Sequence, residues 1–230
     1  MKTIGMIGGM SWESSAVYYR IVNREVQRRL GGVHSAKVLL WSFDLGEIEA
    51  LQAAGDWKAA AQRMREAASA LARGGADFLI ICCNTMHILA EAVENASALP
   101  LLHIATPLGA AIHARDLRKV GVLGTRYTMA ADFLRSPLVR DHSVEFITPG
   151  EEDAEETHRL IYEELSRGQF LDSSASFLRS AIQRLADRGA EGVILGCTEL
   201  SLLVKPEESE IPLLDTTELH ALAAVDRALA

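Results

Sequence analysis

Short apolar runs, most of them rich in β-branched residues, recur at positions 3–7, 38–42, 78–81, 101–104, 119–123, 144–147, 192–195 and 212–214. Each is too short for a buried helix and is bounded by stretches of a different period, so each reads as a strand. The intervening stretches carry apolar residues at helical spacing. Val17, Ile21, Val22 and Val26 share one face, as do Leu178, Ile182 and Leu185, with Gly189 placed to end the second helix. Strand and helix alternate throughout, which predicts an α/β fold with mostly parallel sheets.

The pattern is also duplicated. Gly75-Ala76-Asp77-Phe78-Leu79-Ile80-Ile81-Cys82-Cys83 lines up with Gly189-Ala190-Glu191-Gly192-Val193-Ile194-Leu195-Gly196-Cys197. Upstream, Ile4-Gly5-Met6-Ile7-Gly8-Gly9 matches Val120-Gly121-Val122-Leu123-Gly124-Thr125, and downstream Leu99-Pro100-Leu101-Leu102-His103 matches Ile211-Pro212-Leu213-Leu214-Asp215. Three blocks in one order and nearly one register indicate duplication rather than chance. The expected architecture is therefore two similar, pseudo-symmetric α/β lobes, 1–112 and 113–230, with the C-terminal helix free to pack back on the first.

Ligands of parallel α/β sheets bind beyond the carboxyl ends of strands, and the repeat puts Cys83 and Cys197 at that edge of each lobe. An approximate two-fold axis would bring the two thiols to face each other across one cleft. That arrangement suits inversion of a stereocentre, in which one base removes a proton from one face and one acid delivers a proton to the other. A thiol, with an ordinary pKa of about 8.5, is activated at a helix N-terminus, and a helical pattern follows each cysteine. The amides of Asn84, Thr85, Thr198 and Glu199 are then candidate donors to thiolate or carboxylate. Gly8-Gly9-Met10 and Gly124-Thr125 would let further backbone amides approach.

Composition narrows the partners. The 230 residues are 49% hydrophobic, enough for a packed core, and carry a net charge of −8. Nucleic acid and anionic membrane are both disfavoured by the lack of a basic face. No apolar run is long enough for a bilayer, and the N-terminus runs straight into a strand pattern, so the expected location is the cytoplasm. There three cysteines, an odd number, read as free thiols. The acidic stretch 151–156 reads as a solvated helix start.

The motifs Ile7-Gly8-Gly9-Met10-Ser11-Trp12-Glu13-Ser14, Cys83-Asn84-Thr85-Met86-His87, Leu123-Gly124-Thr125 and Gly196-Cys197-Thr198-Glu199 together resemble the aspartate/glutamate racemases, including the broad-specificity amino-acid racemases of bacterial type. The resemblance covers essentially the whole chain. It implies a cofactor-independent racemase of two pseudo-symmetric lobes that forms a homodimer and acts on a small acidic amino acid. Its catalytic cysteines match Cys83 and Cys197, and its substrate-site positions match Met10, Gln52, Asn84, Thr85, Thr125, Thr198 and Glu199. The chain departs from some aspartate-specific members, which place basic residues in the loop after the second strand and near the middle of the second half to hold the side-chain carboxylate. It has Asp44-Leu45-Gly46-Glu47-Ile48 at the first place and Ser166-Arg167 at the second. Glutamate or a wider range of amino acids is therefore open.

Other readings are weaker. Cys83 and Cys197 as plain packing residues would leave their paired placement unexplained, whereas Cys82 points to the other face of its strand and reads as core. A zinc site from Cys82, Cys83, His87 and Cys197 lacks ligand spacing, so no metal is expected. The opening glycines do not follow the dinucleotide pattern, and no lysine lies in a strand-end motif to hold pyridoxal phosphate. His87, His103 and Asp215 read as structural, and Glu199 as either a proton-transfer partner or a helix-start residue. Related carbanion chemistry, of hydantoin racemase, maleate isomerase or malonate decarboxylase type, and a non-catalytic acidic-metabolite binder remain the alternatives.

Overall fold

The structure, a computed structural model, describes residues 1–130, 132–142 and 144–230. The chain forms two compact units, one of Met1–Ile104 with His220–Ala230 and one of Ala105–Leu219.

In the first unit the elements run β1 (Ile4–Gly8), α1 (Trp12–Leu30), β2 (Val38–Ser42), α2 (Leu45–Ala53), α3 (Trp57–Arg73) and β3 (Phe78–Ile81). A 3-10 turn (Thr85–Leu89) and α4 (Ala90–Ser97) follow. The strands are parallel in the order β2-β1-β3, with Ile7 opposite Ile81 and Gly8 opposite Ser42. Alternation sorts their side chains onto two faces. Ile7, Leu79 and Ile81 pack with Met64, Ala67 and Leu71 of α3, while Ile4, Met6, Phe78 and Ile80 pack with Tyr18, Val22 and Val26 of α1. Both faces of β1 and β3 are covered, which explains their continuous apolar runs instead of an apolar/polar alternation, whereas β2 leaves Leu40 and Trp41 exposed. Each fully buried Ile or Leu contributes about 2 kcal/mol. Helix starts are set by side chains that take orphan amides: Asp44 Oδ1 accepts from Gly46 N at 2.9 Å, and Asp56 Oδ1 from Ala59 N at 2.9 Å.

The second unit holds α5 (Ala105–Ala114), β4 (Lys119–Gly124), α6 (Arg126–Ala130), α7 (Asp132–His142), β5 (Glu145–Ile147), α8 (Glu151–Glu163) and α9 (Asp172–Asp187). It continues with β6 (Gly192–Gly196), α10 (Leu200–Leu203), β7 (Leu213–Asp215) and the start of α11 (Thr216–Leu229). Its parallel sheet has the order β5-β4-β6-β7. Leu178, Ile182 and Leu185 of α9 cover Leu123, Val193 and Leu195, as the helical spacing predicts, and the acidic stretch 151–156 opens α8. The rest of α11 belongs to the first unit, where Ala221, Ala224, Val225 and Ala228 join the cluster around Tyr18.

The two sheets share a topology, as the repeat predicts, with one departure. The run 101–104 makes a single bridge, Leu79 to Leu101, where β7 of the second unit forms a strand. Side chains have taken the backbone groups that further pairing would use. The Leu102 carbonyl accepts from His220 Nε2 at 2.8 Å, and the Ile104 amide donates to His87 Nε2 at 3.3 Å. The next residue, Ala105, already begins α5.

Candidate active site

β3 stops at Ile81 and β6 at Gly196, so Cys83 and Cys197 stand just beyond the carboxyl ends of parallel strands, and both are half-buried. Cys82 differs from its neighbour in both burial and packing. It is fully buried in the cluster of Tyr18 and Val22, whereas Cys83 packs against that of Ile7, Met10 and Met86. Burial holds the Cys82 thiol well above its ordinary pKa, which keeps it protonated and inert.

At the edge of the first sheet, the Cys82 amide donates to the Ile7 carbonyl at 2.8 Å, which sets the Gly8-Gly9-Met10 turn beside Cys83. Gly9 has φ +83°, and a Cβ there would lie 2.2 Å from backbone atoms of Phe43, so only glycine fits. The Gly9 amide donates to Ser15 Oγ at 2.8 Å, a hydroxyl delivered by the first turn of α1. Met10, Asn84 and Thr85 are buried next to Cys83, and Gln52 reaches in from α2, its Nε2 donating to Met86 Sδ at 3.2 Å. His87 is buried too, and its Nδ1 lies 2.9 Å from the Cys83 carbonyl oxygen.

The second unit repeats the layout with different chemistry. Gly124 pairs with Gly196, so Thr125 and Cys197 follow at adjacent strand ends. Thr125 Oγ1 accepts from Thr128 N at 3.2 Å, and Thr198 Oγ1 accepts from the Thr217 hydroxyl at 3.1 Å. Cys197 Sγ donates to Glu199 Oε2 at 3.0 Å, and Glu199 is only 3% exposed. The helical pattern after Cys197 amounts to the single turn of α10, and that after Cys83 opens as a 3-10 turn. Neither supplies the dipole of a long helix, so side chains carry more of the local electrostatics than the pattern suggested. Asp215 accepts from the amides of Thr217 at 2.8 Å and Glu218 at 3.3 Å, capping α11, and its burial raises its pKa.

Arg167 is exposed at the end of a short 3-10 turn. A cavity of about 340 Å³ beyond β4 and β5 is lined by Arg126, Met129, Thr148, Pro149 and Glu155 but by neither cysteine. Sequence reasoning passed over Ser15, Thr217, Tyr18 and His220. Only Ser15 left a signal, a small hydroxyl shortly after a paired glycine.

Cys197 donates its S–H to Glu199, a hydrogen bond that is lost when the sulfur ionises. Replacing it by glutamine, Glu199→Gln, is expected to speed alkylation of Cys197 by iodoacetamide about 10-fold at neutral pH. The rate is read from the modified peptide by mass spectrometry, and an unchanged or slower rate would separate Glu199 from the ionisation of this thiol.

The family model described as Asp/Glu/hydantoin racemase matches residues 7–224. The chain belongs to that family. Over its whole length it superposes on a structure from Yersinia pestis, a candidate Asp/Glu racemase, with 48% identity, TM-score 0.91 and full coverage of both chains. An aspartate racemase homologue from Pyrococcus horikoshii OT3 superposes with 32% identity and TM-score 0.83, again with full coverage of both. The glutamate racemase of Roseiflexus sp. (strain RS-1) is 32% identical over 164 residues, which are 68% of this chain and 56% of that enzyme. The chain thus spans little more than half the length of that curated relative. Among the described residues no helix is long and apolar enough to cross a membrane.

Proposed function

We propose that this protein racemises an acidic amino acid, aspartate or glutamate, without a cofactor, using Cys83 and Cys197 as its two acid/base groups. The observation that carries the reading is the matched placement of the thiols. Each unit of a racemase-family fold has one half-buried cysteine just past the carboxyl end of a parallel strand, next to the glycine-bearing end of the strand it pairs with. In one direction the thiolate of one cysteine removes the α-proton, and the electron pair left on carbon is shared into the substrate carboxylate. The thiol of the other cysteine then protonates the opposite face and becomes the thiolate, so the reverse reaction starts from the product state. Asn84, Thr85 and Met10 beside Cys83, and Thr125, Thr198 and Glu199 beside Cys197, are assigned to hold the substrate, with Gln52 supporting the first group through Met86. A cytoplasmic homodimer belongs to the same reading.

The test is chiral chromatography of L-aspartate, L-glutamate, L-asparagine and L-glutamine after incubation with protein dialysed against chelator and hydroxylamine. The D-form of an acidic amino acid is expected to accumulate faster than that of its amide. Absence of any D-product would overturn the activity, equal turnover of amide and acid would overturn the substrate class, and activity restored only by zinc or pyridoxal phosphate would overturn the mechanism.

A further inference from the structure

The first unit gathers three histidines behind Cys83. The ring of His87 lies 4.8 Å from that of His103 and 5.6 Å from that of His220, centroid to centroid. His87 and His220 are fully buried, and burial depresses the pKa of all three, that of His220 to about 4. A neutral imidazole offers one donor and one acceptor, and the neighbours decide which nitrogen is which. At His87 the Ile104 amide donates to Nε2, so the proton sits on Nδ1, which donates to the Cys83 carbonyl at 2.9 Å. His220 has the opposite tautomer. Its Nε2–H donates to the Leu102 carbonyl at 2.8 Å, and its Nδ1 accepts from the Tyr18 hydroxyl at 2.9 Å. The ring of His87 thus bridges the peptide that follows Cys83 and the segment 102–104, which His220 holds at Leu102.

We infer that His87 is a positioning residue for Cys83, holding the Cys83 carbonyl through Nδ1–H while anchored at Nε2 by the Ile104 amide. The inference rests on the reading of Cys83 as an acid/base group. The backbone amide of His87 goes to the Asn84 carbonyl at 3.0 Å, so it is the side chain that reaches back to Cys83. A trans peptide is planar, with its C=O and N–H pointing in opposite directions. Fixing the Cys83 carbonyl therefore fixes the direction of the Asn84 amide, a donor to thiolate or carboxylate, and the Cα from which the thiol projects. Local helix capping alone would not need the second anchor at Ile104, seventeen residues away along the chain.

Two isosteres separate the halves of this bridge. The amide nitrogen of asparagine falls near the place of Nδ1, and the amide group of glutamine near that of Nε2. His87→Asn keeps a donor for the Cys83 carbonyl, whereas His87→Gln keeps only a partner for Ile104. His87→Gln is expected to lower kcat by about 10- to 100-fold with little change in KM. It should also slow iodoacetamide alkylation of Cys83 by about 10-fold, because the released amide no longer stabilises the thiolate. Cys197 in the same sample should react as in the wild type, and His87→Asn should stay within about 2-fold of wild type in both readouts. Equal losses in both variants, or equal changes at both cysteines, would reduce His87 to a packing residue and overturn the inference. Nitrogen-15 NMR of the histidine rings in the wild type decides independently of whether either variant folds: an Nδ1–H tautomer at His87 supports the bridge, and an Nε2–H tautomer overturns it. Racemisation surviving in Cys83→Ser would sink the catalytic reading, while alkylation and ring NMR would still decide whether His87 holds the Cys83 peptide.

Discussion

Cys83→Ser and Cys197→Ser are each expected to lower racemisation of aspartate or glutamate by about 10³-fold, the scale of a lost general acid or base. A serine hydroxyl is close to the thiol in shape but is far too weak an acid to exist as its anion near pH 7. Both cysteines are half-buried and neither belongs to the fully buried core, so the variants should fold and bind substrate. The wild type should show a bell-shaped pH profile whose two limbs belong to the pair of thiols rather than to one of them. In deuterated water it should place solvent deuterium in the product enantiomer, with little early exchange into the starting one, because separate residues serve the two faces. Near-normal turnover by both serine variants would refute the two-thiol mechanism. Cys82→Ser serves as the control, since that thiol is buried and held protonated.

Stability of the first unit is expected to fall by roughly 3 kcal/mol between pH 6.5 and 4 from His220 alone. The folded-state pKa of His220, about 4, lies below the ordinary value of 6.5, so the unfolded chain binds more protons across that interval. The contribution is therefore fully present above pH 6.5 and is lost as the pH drops toward 4. His87 and His103 are shifted in the same direction by burial and add to the loss. Paired carboxylates such as Glu25, held at about 2 by Arg28 and Arg29, enter only below their ordinary value of 4.5. The window from 6.5 to 4.5 therefore excludes these carboxylates, and the His220→Gln comparison separates His220 from His158, which burial also lowers to about 4, and from Asp215, which burial raises. Urea midpoints measured across it should decline steadily, and less so in His220→Gln, whose amide can still donate to the Leu102 carbonyl. A flat profile for the wild type would mean that these rings are not held neutral by the fold.

Local pattern carried the reading of the elements because β1, β3, β4 and β6 are buried on both faces and the helices on one, and such burial writes itself into the chain as apolar runs and as 3.6-residue spacing. It failed at 101–104 for a reason that is not local. The run is apolar enough for a strand, but His220 and His87, 118 and 17 residues away along the chain, occupy the backbone groups it would pair with. The Gly9 amide shows the same limit at shorter range. The sequence marks a position where the backbone must come close to something, and the structure shows that it is Phe43 and the Ser15 hydroxyl.

By itself the sequence determined the α/β class, the duplication, the placement of one cysteine at the end of a strand in each half, and the assignment of Cys82 to the opposite face from Cys83. All of these follow from periodicity along a single chain, which is a property of neighbours. Only the tertiary structure decided what surrounds each thiol: a buried carboxylate on Cys197, and on the Cys83 peptide a neutral imidazole whose tautomer is set by Ile104. Hydrogen-bond partners of buried polar groups are chosen by how distant segments pack. The pairing of Tyr18 with His220, 202 residues apart, has no period that a reader of the chain could find.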